Sequence, residues 1–129
     1  MSDLNDKINE FTDTPDTTAE YEPEDIEKNR IISLFSYLSW LVLIPLIVGK
    51  DSKFAKFHVN QGLVLAIAEV LCVLIVRILS HIPIIRIIAG IAGSVLGVVF
   101  FIFAILGIVN AVNGKAKELP IIGNIKLIK

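Results

Sequence analysis

The sequence is short of the residues that chemistry and cross-linking draw on: one cysteine, one methionine, one tryptophan and two histidines in 129 residues. The lone Cys72 excludes an internal disulfide and a cysteine-based metal site. No glycine-rich phosphate loop, nucleophile elbow or zinc-hydrolase helix occurs, so the chain does not read as an enzyme. No metal, cofactor or nucleic-acid partner is implied. Charge is scarce too: 19% of residues are charged against 54% hydrophobic, with a mean hydropathy of +0.74. A soluble domain of this size lacks the polar surface to hide so much apolar area, and a lipid bilayer is the expected solvent.

The formal net charge of −1 conceals an asymmetry. Residues 1–30 carry ten acids and three bases, a charge of −7, whereas residues 31–129 carry nine bases and three acids, a charge of +6. The acidic, threonine-rich tail, residues 1–29, has few large aliphatics with which to offset the entropy of ordering it, so disorder is expected there. It lacks the basic start and apolar core of a signal peptide. A solvated tail is the simpler reading, and an interaction arm the alternative.

Residues 30–129 read as an all-α integral membrane domain, a bundle of three transmembrane helices over about 31–48, 57–80 and 84–112. The first run, "IISLFSYLSWLVLIPLIV", contains no charge, and Pro45 should bend its last turn. "GKDSKFAKF" alternates Lys50, Lys53 and Lys56 with Phe54 and Phe57, the pattern of a short interfacial helix. With three spans, the tail and the "RILSHIPIIR" turn share one side. Four bases there against seven on the other favour the lysine-rich side as cytoplasmic, leaving the tail outside.

Two faces stand out. At helical spacing, His58, Gln61 and Glu69 form a polar stripe on the second span, and Glu69 lies near mid-membrane, where a carboxylate is costly. It is either a proton-relay or substrate-path group, or a neutral, hydrogen-bonded tie to Ser or Tyr groups on the first span. His58 and His81 read as interfacial residues rather than metal ligands. On the third span, Gly90, Gly93 and Gly97 share a face, and Gly93 with Gly97 makes a GxxxG pair that suits close helix packing. The same glycines could instead loosen the helix or line a narrow path.

Two stretches, "KFAKFHVNQGLVLAI" at residues 53–67 and "GIVNAVNGKAKELPIIGNIKLI" at residues 107–128, resemble the bacterial membrane family related to the Tic-type chloroplast protein-import component. Phe57, His58 and Gln61 match that family's opening of the second helix, and Asn113, Gly114, Lys115, Leu119, Pro120 and Gly123 match its closing turn. The resemblance implies a Tic-like helical membrane domain over residues 30–129 and points to protein or solute passage. The expected protein is therefore a multi-pass component of the cell membrane, a scaffold or accessory element meeting lipid, its own copies or other membrane proteins. The alternative is a pore or carrier subunit of an oligomer that uses the stripe around Glu69.

Overall fold

The computed structural model describes residues 2–128. Among these residues five α-helices follow in order: α1 (Ser2–Thr12), α2 (Pro23–Leu34), α3 (Leu43–Val48), α4 (Lys53–Leu79) and α5 (Ile85–Val112). Short 3₁₀ turns occupy Thr18–Glu20, Phe35–Tyr37 and Ser39–Val42. Among the described residues there is no β-strand, only an isolated antiparallel bridge between Asp16 and Lys117.

α4 begins where two side chains take up its first unpaired amides. The Ser52 hydroxyl accepts the Ala55 N–H at 3.0 Å, and Asp25 of α2 accepts the Phe54 N–H at 3.0 Å and the Ser52 hydroxyl at 2.5 Å. A carboxylate set against the positive end of a helix dipole is favourable. Burial pushes the Asp25 carboxyl up, but the bonds from Ser52, Phe54, Asn29 and the Lys53 amide outweigh it and hold the group below its ordinary 3.8.

α4 and α5 form an antiparallel hairpin, with 27 and 28 residues, each long and apolar enough to cross a membrane by length and composition. Its two ends differ. At the end where α4 starts and α5 stops, Tyr37, Leu65, Phe103, Ala111 and Leu119 form one buried cluster, and Phe54, Phe57 and Ala116 form a second beside Tyr21 and Ile26. The far half is bare of protein: Ile78 is 66% exposed, Ile84 77% and Ile87 63%. Apolar surface of that extent requires lipid or another apolar partner.

Several expectations need correction. The second and third runs are helices close to the expected limits, but the first is not one continuous helix. Residues 31–48 divide into the end of α2, two 3₁₀ turns and the six-residue α3, and six residues of helix reach only about 9 Å. The break centres on Leu38 (φ −104°, ψ 52°) and Ser39 (φ 58°). Its cause is tertiary: Tyr37 is turned into the bundle and buried against Gly107 of α5. The architecture is thus two long helices with a broken segment packed on them, in place of a three-helix bundle. The expected interfacial helix is a turn at 49–52 running directly into α4.

The acidic tail, expected to be disordered, is folded onto the same end. Phe11 of α1 meets Phe103 with ring centroids 6.2 Å apart. The Thr14 and Thr17 hydroxyls donate to the Glu118 and Ala116 carbonyls at 2.5 and 2.9 Å, and the Glu118 N–H reaches the Pro15 carbonyl at 3.1 Å. Composition averages miss this, because threonines placed at the right points can bind a backbone without any large apolar side chain.

Two glycines permit the closest approaches. A Cβ on Gly62 would lie 1.8 Å from the Ser36 carbonyl oxygen, and one on Gly107 would lie 2.2 Å from the Tyr37 ring. A Cβ on Gly97 meets nothing within 4 Å. Gly62→Ala should therefore cost about 3 kcal/mol or more, since backbone rather than a flexible side chain is in the way. Gly97→Ala should be neutral or gain up to about 1 kcal/mol. Melting of both variants in detergent measures the contrast, and equal melting temperatures would contradict this packing.

Candidate functional site

The polar residues of α4 that face inward lie within its first three turns, and each is committed to backbone. His58 is fully buried, Gln61 is 1% exposed and Asn60 is 4% exposed. The His58 Nε2 atom lies 2.9 Å from the Lys115 carbonyl, which can only accept, so Nε2 carries the proton. In the neutral ring Nδ1 then accepts from the Tyr37 hydroxyl at 2.6 Å. Phe54, Phe57 and Tyr37 surround the imidazole edge-on, with centroids 4.8, 5.1 and 5.6 Å away.

Gln61 reads the next stretch with both ends of its amide. Its Nε2 donates to the Gly123 carbonyl at 2.8 Å and its Oε1 accepts the Leu119 N–H at 2.9 Å. Asn60 repeats the arrangement farther on: Nδ2 donates to the Ile125 carbonyl at 2.7 Å, and Oδ1 accepts the Leu127 and Ile128 amides at 2.5 and 3.1 Å. These side chains hold a C-terminal segment, residues 115–128, that has no helix or strand of its own. The tail threonines hold its opposite edge. The segment is thus pinned on two sides.

The two motif stretches, separated by 39 residues in the sequence, meet at this clamp. Asn113 ends α5, and Gly114 (φ 72°) turns the chain toward the clamp, where a Cβ would sit 2.8 Å from Ile26. Lys115 offers its carbonyl to His58, and Leu119 and Pro120 are buried beneath it. At Gly123 a Cβ would come within 2.4 Å of the Leu119 oxygen. The sequence gives no sign of Gly107, Asp25 or Ser52, marks Asn60 and Gly62 without saying what they meet, and offers Tyr37 as a tie for Glu69, whereas its hydroxyl goes to His58. The dipeptide Asn60–Gln61 in an apolar run carried a local signal.

Glu69 is not part of this cluster. It lines an apolar groove of about 840 Å³ between α4 and α5, with Tyr37, Cys72, Arg77 and Ser94, and it makes no hydrogen bond or ion pair among the described residues. The stripe of His58, Gln61 and Glu69 therefore divides: two members bind backbone and the third faces a lateral groove. Gly90 and Gly97 border the same groove without touching another helix, whereas a Cβ on Gly93 would approach Val76 to 3.0 Å. His81 is exposed at the α4–α5 turn. Among the described residues no three His, Cys, Asp or Glu side chains group to hold a metal.

The model of the magnetosome magnetite crystal formation protein family matches residues 28–128. The chain belongs to that family. Over 38 residues it is 42% identical to the magnetosome protein MmsF of Paramagnetospirillum magneticum, a stretch that is 30% of this chain and 36% of that protein. The match therefore spans about a third of the curated relative. No solved structure matches. Membership of the magnetosome family overturns the resemblance to a Tic-type import component, and the translocation role that came with it falls away. Two of the motif residues behind that resemblance, His58 and Gln61, hold the chain's own backbone, a structural task that does not specify cargo.

Replacing Gln61 by Leu strands one buried amide and one buried carbonyl, at about 1–3 kcal/mol each. Hydrogen exchange at the 119–128 amides should accelerate in Gln61→Leu, while mid-α5 amides stay protected. Unchanged exchange at Leu119 would rule out the clamp.

Proposed function

We propose that this chain is an accessory, scaffold-type membrane component of magnetite crystal formation, and not a catalyst. The observation that carries the reading is the clamp. At the end where α4 starts and α5 stops, here called the head, the buried polar side chains hold residues 115–128 in place, rather than converging on an open site as catalysis or carriage would demand. The name of the family, the apolar hairpin and the rigid head at one end of it agree with a protein that presents a surface from a membrane.

In this reading the hairpin makes the chain a multi-pass protein, and the tail, the 49–52 turn and the C-terminal segment share one side of the bilayer. Lys28, Arg30, Lys50, Lys53, Lys56, Lys115, Lys117 and Lys126 gather on that side, against Arg77 and Arg86 at the far turn. Eight against two puts the head on the cytoplasmic face and, with it, the tail that a three-span count places outside. The groove beside Glu69 opens sideways between only two long helices, so a transport path would need further subunits.

Single cysteines at Asp3, Asn124 and His81 in a Cys72→Ala background report the topology in sealed vesicles of known sidedness. An impermeant maleimide should reach Asp3→Cys and Asn124→Cys from one side and His81→Cys from the other. Asp3→Cys and Asn124→Cys on opposite sides would break the hairpin.

Deleting the gene in its magnetosome-forming host should leave membranes that still enclose mineral, with crystals altered in size or shape by electron microscopy and restored by the wild-type gene. Unchanged crystals would refute the role. Membranes empty of mineral would point to solute passage instead.

A further inference from the structure

Beside the clamp, and sharing only Asn60 and Ile128 with it, lies a cleft. Tyr21, Lys53, Lys56, Phe57, Asn60 and Lys126 line about 440 Å³ of space beside the first turns of α4, joined by Glu20 and Ile128. Its lysines come from two chain segments, the start of α4 and the clamped C-terminal segment. The Lys126 ammonium lies 5.6 Å from the Phe57 ring centroid and 3.4 Å from the Glu118 carboxylate, so it is drawn to one wall of the cleft. Glu20 lines the cleft and Glu118 pairs with Lys126, so three lysines against these two carboxylates leave a smaller but still net positive charge.

Its depth follows from helix geometry. A hydrocarbon core of about 30 Å takes about 20 helical residues. Counted back from Leu79, the last residue of α4, that length ends at Asn60. Lys53 and Lys56 then stand one to two turns beyond the hydrocarbon, where lipid phosphates lie, and Phe57 and Asn60 mark the boundary. Lys126 is brought to the same level by its contact with Phe57.

We propose that this cleft binds the phosphate of an anionic phospholipid headgroup. Lys53, Lys56 and Lys126 supply the charge, while Phe57 and Ile128 offer apolar surface to the lipid's glycerol region. A bilayer delivers such phosphates at high local concentration to the plane in which these lysines sit, an advantage that free phosphate lacks. The inference rests on the hairpin crossing the membrane, which the cysteine labelling examines independently.

The test uses the full chain in phosphatidylcholine nanodiscs with and without phosphatidylglycerol, counting retained lipids by native mass spectrometry. The wild-type chain should retain phosphatidylglycerol in preference to phosphatidylcholine. Replacing Lys53, Lys56 and Lys126 by Gln should reduce that preference on the order of fivefold per lysine. The matched set Lys50→Gln, Lys115→Gln and Lys117→Gln removes the same charge from the same end outside the cleft and should lower the preference far less, by the general surface attraction alone. Lys56→Gln alone gives the same reading if the triple variant does not fold. No preference in the wild-type chain, or equal losses in the two sets, would overturn the site. Inorganic phosphate added to pure phosphatidylcholine nanodiscs should not bind, and its binding through the cleft lysines would reassign the ligand to a free anion.

Discussion

Backbone without regular structure beside a membrane must find partners for every N–H and C=O, because neither lipid nor a dry interior supplies them. Residues 115–128 pose this problem for the present chain, and the first turns of α4 solve it with His58, Asn60 and Gln61. Other features depend on that solution. With Nε2 donating to Lys115, His58 has its Nδ1 lone pair taken up by the Tyr37 hydroxyl, and Tyr37 lies just before the chain break at Leu38–Ser39. The inserted ring needs Gly107, and the approach of the broken segment to α4 needs Gly62.

The clamp also divides the molecule by polarity. Polar side chains gather at the end where α4 starts and α5 stops, and the other half of the hairpin is left apolar and without protein cover. Ten acids on the tail and most of the bases share the polar end, where the bridge between Asp16 and Lys117 joins the two chain termini. Hydrogen bonds from the Thr18 side chain and backbone hold the Asp16 carboxyl below its ordinary value despite its slight burial, and Lys115 and Lys117 assist. Charge of both signs is thus concentrated at one end of the hairpin.

Glu69 stands apart from this economy of polar groups. The feature that most resembles a functional residue in the sequence has no partner among the described residues, while the residues that organise the head are ordinary amides and one imidazole. A stripe drawn on a helical wheel assumes one environment along the whole helix. α4 passes through two, a packed head up to about Leu65 and an open apolar half beyond it.

The sequence by itself determined the two long apolar helices. Uninterrupted apolar runs of that length have few other stable fates, and the limits expected for the second and third runs lie within about four residues of α4 and α5. It also marked Phe57, His58, Gln61, Gly114 and Gly123 as a set, though not what they hold. The tertiary structure decided the rest. Whether "IISLFSYLSWLVLIPLIV" crosses a membrane or folds back depends on where the Tyr37 ring finds a cavity, and that cavity exists only once Gly107 lies opposite it. Whether an acidic tail is loose or ordered depends on an unpaired backbone edge for its threonines, supplied by residues about a hundred positions away. Hydropathy and periodicity are local quantities. The partners that fixed these two segments are not.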